Sequence, residues 1–200
     1  MRTIFRTLKV SVVLAVAAAF FLPLIHCGGV STAQAAAADP PGNPPIVGFW
    51  FYKMVAEGNT AASSGLPADQ VPPDGAVIDS GYAQWHADGT EISNSNRQPV
   101  TQSFCLGVWE NAGGLQYKLN HFAISWTFDG STESYQGPAN IRQQVTLGQD
   151  HNSFSGSFSV DQFNASGNPL VHLIGNIVGQ RIGVDTSVTD VLPVPPPPAP

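Results

Sequence analysis

Phe154-Ser155-Gly156-Ser157-Phe158-Ser159-Val160-Asp161 alternates without a break between apolar or glycine positions and hydroxyl or acidic ones. A strand points successive side chains to opposite faces, so this run has one dry side and one wet side. It is bounded by turn-forming clusters, Gln149–Asn152 before it and Asn164-Ala165-Ser166-Gly167-Asn168 after it. The second turn leads into another strand-like stretch, Leu170–Ile182. Upstream, Val47–Val55, Val77–His86, Thr90–Asn94, Phe104–Glu110, Gln116–Phe128 and Ile141–Leu147 share the richness in Val, Ile, Phe, Tyr, Trp and Thr that suits a pleated, half-buried surface. Ala87-Asp88-Gly89 supplies an Asp-Gly turn in which positive φ is tolerated, and Asn111-Ala112-Gly113-Gly114 joins the next pair. Two connections are long: Ala56–Gly75, a lid or surface loop, and Asp129–Asn140.

Sequential antiparallel segments, each apolar on one face, leave two unpaired edges unless the sheet closes on itself. The prediction is an all-β protein, an antiparallel up-and-down β-barrel of about eight strands. The interior of such a barrel is either packed solid or holds one small ligand. A two-sheet sandwich accommodates the same strands and stays open as the alternative.

The flanks belong to no core. Arg2, Arg6 and Lys9 precede an apolar run from Val10 to Ile25, the pattern of a secretory signal peptide, with small residues for cleavage near Ala35 to Ala38. Residues 1–38 are therefore read as leader and cleavage region, 39–45 as a Pro-rich spacer, 46–183 as the barrel and 184–200 as a disordered Pro-rich tail. A secreted or periplasmic chain is expected, with no membrane span once the leader is gone. Lipid anchoring at Cys27 is the less favoured alternative, because bulky His26 precedes it. Cys105 is then the lone thiol and reads as a small buried hydrophobe.

Charge narrows the partners. Charged residues make up 11% of the chain, against about 25% in an ordinary domain. The leader holds three of the eight basic residues, so the trimmed chain keeps five against fourteen acidic ones, a formal charge of −9. A phosphate-binding surface needs clustered Lys and Arg, so nucleic acid is not an expected partner.

On the first strand, Gly48-Phe49-Trp50 resembles the glycine-any-tryptophan signature of the calycin superfamily, the lipocalin-like and avidin-like barrels. The resemblance implies that Trp50 closes the barrel floor and that Arg181, at the end of the last strand, covers it. It spans residues 46–183 and includes the long first loop, similar to a lipocalin lid. The chain departs from lipocalins in having no helix-forming sequence after Ile182, no second motif and no disulfide pair. Allene-oxide-cyclase-like and dirigent-like barrels are similar in strand order and size, and that likeness implies chemistry inside the barrel.

Candidate ligand-binding residues follow from alternation. Tyr117, Leu119, His121, Ala123 and Ser125 share one face, so an inward face would bring His121 into the cavity, there to meet a ligand carbonyl or haem iron, or to bond a backbone carbonyl as a core histidine. Trp85 with Ala83, and Trp109 with Cys105 and Gly107, repeat at period two and leave room for a flat ligand or fill the interior themselves. Gln143 sits between Ile141 and Val145, and His172 shares a face with Leu170, Ile174, Asn176 and Val178, so both read as polar groups in an apolar lining. No helical two-His spacing, Cys-His cluster, nucleophile elbow or phosphate loop occurs, so neither cofactor nor metal nor catalytic residue is assigned. The expected function is a binding protein for a small apolar or aromatic molecule. The alternatives are a barrel-type isomerase or cyclase, and a surface recognition module on a solid barrel whose two long loops carry the contacts.

Overall fold

The computed structural model describes residues 42–102 and 104–194. The segments read as leader, cleavage region and start of the spacer, Cys27 among them, lie outside the described residues, as do residues 195–200. Eight strands follow one another: β1 Gly48–Ala56, β2 Val77–Trp85, β3 Thr90–Ser95, β4 Cys105–Gly113, β5 Gln116–Phe128, β6 Glu133–Leu147, β7 Ser153–Phe163 and β8 Pro169–Arg181. Each pairs antiparallel with the next, and β8 returns to β1, from Trp50 opposite Arg181 to Ala56 opposite Gly175. The sheet is a closed up-and-down barrel, compatible with a calycin-like fold, and the sandwich alternative is excluded.

Closure is fixed at one end, the floor. The Arg181 guanidinium lies 4.4 Å from the centre of the Trp50 ring. Its nitrogens donate to the carbonyls of His151 at 2.7 Å, of Val47 at 2.8 Å and of Pro45. Trp50 in turn donates its indole N–H to the Ile46 carbonyl at 2.9 Å. A planar cation with five forked donors can stack on a ring and bind three carbonyls together, which a lysine cannot. Gly48 makes this possible: its φ of 148° suits glycine, and a Cβ there would overlap the guanidinium.

Two expectations need correction. The loop placed at Asp129–Asn140 is mostly strand: β6 begins at Glu133, and only a short turn remains, in which Asp129 Oδ1 accepts from the backbone N–H of Ser131 and Thr132. Within β6, Gly137 takes a φ of 140° beside a bulge at Ser125/Trp126. The β6–β7 ladder starts at Ala139, so the missing N–H of Pro138 costs it no bond.

The second correction concerns the tail placed at 184–200. Through residue 194 it is a strap along the outside of β2. Tyr82 Oη donates to the Val191 carbonyl at 2.9 Å, Ser80 Oγ exchanges bonds with Val194 at 2.8 and 3.0 Å, and Val191 is buried. The sequence shows neither a helix nor a strand pattern here because the strap is held by side chains of β2 rather than by a ladder of its own.

The first connection, residues 57–76, carries the short helix α1, Ala61–Ser64, capped by Thr60. It is pinned across the other end of the barrel by Asn59, whose side-chain amide both donates to and accepts from the backbone of Ile174 in β8 at 2.9 Å.

Replacing Arg181 by Met would strand three carbonyls and uncover Trp50. A loss of about 3 kcal/mol in unfolding free energy is expected from urea denaturation, with the native circular dichroism spectrum retained at zero denaturant. An unchanged midpoint would show that closure does not depend on the guanidinium.

Candidate functional site

The two halves of the interior differ. Near the floor, aromatic rings fill the space: Trp50 packs on Phe154 at 5.1 Å, and Trp85 lies 5.8 Å from Trp109, 6.4 Å from Tyr117 and 6.4 Å from Phe154. Trp109 spends its indole N–H on the His86 carbonyl at 3.0 Å. These side chains point inward as alternation indicates, but they fill the floor. Inside the barrel, Trp85 and Gln143 border a void of about 10 Å³ just above it, and the larger pocket that Trp109 and Gln143 also line, about 380 Å³, opens among the outward side chains Val108, Glu110, Lys118, Asn120, Arg142 and Gln144.

The upper half is open. A cavity of about 270 Å³ runs from the mouth, where Leu66 of the lid connection stands, down to His121. Its walls combine apolar side chains, among them Met54, Ala139, Ile141 and Leu173, with Tyr52, Asp79, Arg97 and Gln162. That volume lies just below the range of drug-sized pockets, about 300 Å³ upward, so an occupant must be small.

His121 is 4% exposed and Glu91 1% exposed, deep in the barrel. Glu91 Oε2 lies 3.0 Å from His121 Nδ1, with Ser93 Oγ 3.4 Å from the same nitrogen. A carboxylate only accepts, so the bond requires a proton on Nδ1, and in the neutral imidazole Nε2 is left as an acceptor. Among the described residues, His121 Nε2 and Glu91 Oε1 are the buried side-chain polar atoms without a hydrogen-bond partner. Buried polar atoms are nearly always paired, so two orphans at one place mark a site. Room for the ring comes from Gly107, its partner across β4–β5, where any Cβ would overlap the His121 Cβ.

A second polar group sits higher. Asp79 Oδ1 accepts from Ser95 Oγ at 2.6 Å and from the Ser80 N–H at 2.8 Å, and Tyr52 Oη donates to Oδ2 at 3.4 Å. Burial pushes the Asp79 carboxyl up from its ordinary value, against the pull of Ser95 and of Arg97. Burial, with Asp79 adding to it, holds the Tyr52 phenol well above its usual range, so Tyr52 remains a donor. Among the described residues, no three His, Cys, Asp or Glu side chains converge as metal ligands.

His172 requires a correction. It lies on the outside of the barrel, half exposed, with Nδ1 2.6 Å from Asp161 Oδ1. The inward residues of β8 are Val171, Leu173, Ile177 and Arg181, separated by glycines 175 and 179. Both faces of this strand carry aliphatic residues, so alternation gives the period but not the phase. Glu91, Ser93, Asp79 and Tyr52 escaped the sequence reading for a related reason. In β3 the polar residues Glu91, Ser93 and Ser95 are buried, while Ile92 is 42% exposed. The signal that could have found them is the hairpin. With Trp85 inward, pairing across the Asp-Gly turn puts Glu91 opposite Trp85 and Ser93 opposite Ala83, hence inward too.

Compared with known proteins, the chain matches no family model, no curated protein and no solved structure.

Cys105, buried beside this cavity, has its thiol pushed up to about 11, first by burial. At pH 8 the native protein should react with a disulfide reagent at least about 100-fold more slowly than the urea-unfolded chain, whose thiol has the ordinary value near 8.5. Equal rates would show that the upper cavity is not closed around this residue.

Proposed function

We propose that the protein is a secreted or periplasmic binding protein of calycin type, which holds one small, largely apolar or aromatic molecule in the upper half of its barrel. The observation that carries this reading is the unpartnered Nε2 of His121 at the foot of a cavity with apolar walls. Apolar walls supply affinity through burial, and a few convergent polar atoms set orientation. Glu91 fixes the imidazole so that its free nitrogen accepts, which selects a ligand with a hydroxyl or N–H at its buried end. Tyr52, Asp79 and Arg97 then meet the outer end of the molecule. The Gly48, Trp50 and Arg181 floor and the pinned first loop support the calycin likeness, and the leader supports export. A solid recognition module is disfavoured, because only the lower half of the barrel is filled.

A second reading rests on the same two residues. A carboxylate that orients an imidazole and leaves its other nitrogen bare is the arrangement of a general base. A barrel-type isomerase would use His121 Nε2 to take a proton from its substrate. Conversion of a bound compound, abolished in His121→Ala, would support this reading over simple binding.

Phenol and its methyl ether, anisole, test the binding reading, since they share a ring and differ in one donor. Isothermal titration should show phenol binding about tenfold more tightly than anisole, the worth of about 1.4 kcal/mol for one hydrogen bond to a buried acceptor. His121→Phe should erase the difference. Equal affinities in the unaltered protein, or no binding of either compound, would contradict the proposal.

A further inference from the structure

The outside of the barrel falls into unlike sectors. On β7 the outward residues Ser153, Ser155 and Ser157 are exposed and polar. On β2 the strap, held by Ser80 and Tyr82, occupies the surface beside the aromatic rings of Phe49 and Phe51. On β3 to β6 the outward residues include Ile92, Leu106, Val108, Phe122, Ile124 and Trp126, each between 39% and 60% exposed.

These side chains are contiguous. Ile92 stands opposite Leu106 and Leu106 opposite Phe122, which sets an apolar row across three strands. The next row pairs Ile124 with Pro138, and beyond it the Trp126 ring meets Tyr135 at 5.6 Å. The polar groups within the face are amides closed on each other, Asn140 Nδ2 donating to Asn120 Oδ1 at 2.6 Å. Charges of both signs stand at its lower margin, where Glu110 and Lys118 are 4.0 Å apart and Arg142 pairs in register with Asn120.

We infer that this face is the contact surface of a symmetric homodimer, two copies packing their β3–β6 sectors against each other. Four strands about 4.8 Å apart, with five or six residues along each, make a face on the order of 400 Å² in projection. Protruding Leu, Phe and Trp side chains raise the accessible area well above that, towards the roughly 800 Å² per partner of a stable interface. A contiguous apolar patch of several hundred Å², rimmed by polar residues, is the mark of an interaction surface. The face carries no charge in its centre and both signs at its margin, so a second copy is a complementary partner: apolar on apolar at the core, with Arg142 of one copy placed at the rim to meet the exposed Glu110 of the other, which within its own chain makes only a loose 4.0 Å contact to Lys118. A bilayer is the poorer occupant, because a membrane barrel needs an apolar belt all round, and the serines of β7 break it. This interface lies outside the barrel and is independent of the ligand proposal.

Sedimentation velocity of the purified protein should give a dimer at about 10 µM, the affinity class of an interface of this size. Leu106→Lys with Phe122→Lys should give a monomer with unchanged circular dichroism, since both side chains point away from the core. Ser155→Lys, on the polar sector, should leave the dimer intact. The inference is overturned if the unaltered protein is monomeric at about 100 µM, or if the double variant keeps the dimer mass. It is likewise overturned if the unaltered protein is monomeric and floats with phosphatidylcholine vesicles, which would assign the face to lipid.

Discussion

One arginine ties the two ends of the sheet together. Arg181 stacks on Trp50 and binds the carbonyls of Pro45, Val47 and His151, which belong to the entry into β1 and to the β6–β7 turn. Strand pairing between β1 and β8 alone would close the sheet, but its register would rest on apolar contacts that tolerate sliding. A one-residue slip would turn every inward side chain outward, and a rigid five-donor cation with three fixed acceptors resists that slip. The inward placement of Tyr52, Asp79, Glu91 and His121 inherits its register from this closure.

With the floor packed by aromatic rings, the upper half is left to a different economy. Small inward residues, Cys105, Ala123 and Ala139, leave the volume that the cavity needs. Polar inward residues on β2, β3 and β5 then have to find partners within the barrel. Asp79 finds several, whereas the Glu91–His121 pair ends with two atoms unsatisfied. A fully apolar lining would be more stable, since desolvated charges are costly even when paired. In the proposed binding function, this pair at the base of the cavity gives up stability to orient a ligand.

Much of this was legible beforehand, and the gaps have physical causes. The alternation at Phe154–Asp161 and the Asp-Gly turn point to the closed barrel, because period two and turn chemistry are local properties, whereas the pairing of Trp50 with Arg181 came from the calycin resemblance. Alternation states which residues share a face, but it does not say which face is inside. Where the outside is also apolar, as on β8, the phase is undetermined and His172 falls on the wrong side. Where the inside is polar, as on β3, the phase inverts and Glu91 is overlooked. The strap escaped because the sequence of residues 184–194 carries no helical or strand periodicity, and its order comes from Ser80 and Tyr82, more than a hundred residues away. His121 was visible because its strand is apolar on the inner side, but its partner Glu91 was not, so the direction of its hydrogen bonds could not be assigned.

The account turns on the state of that imidazole. A long-range nitrogen–proton correlation spectrum of the histidine side chains, recorded near neutral pH, reads the tautomer directly. It should show His121 protonated at Nδ1 and bare at Nε2, with the Nε2 resonance moving when phenol is added. A proton on Nε2 with Nδ1 bare, or a resonance that phenol leaves unmoved, would contradict a cavity built around a free acceptor held in place by Glu91.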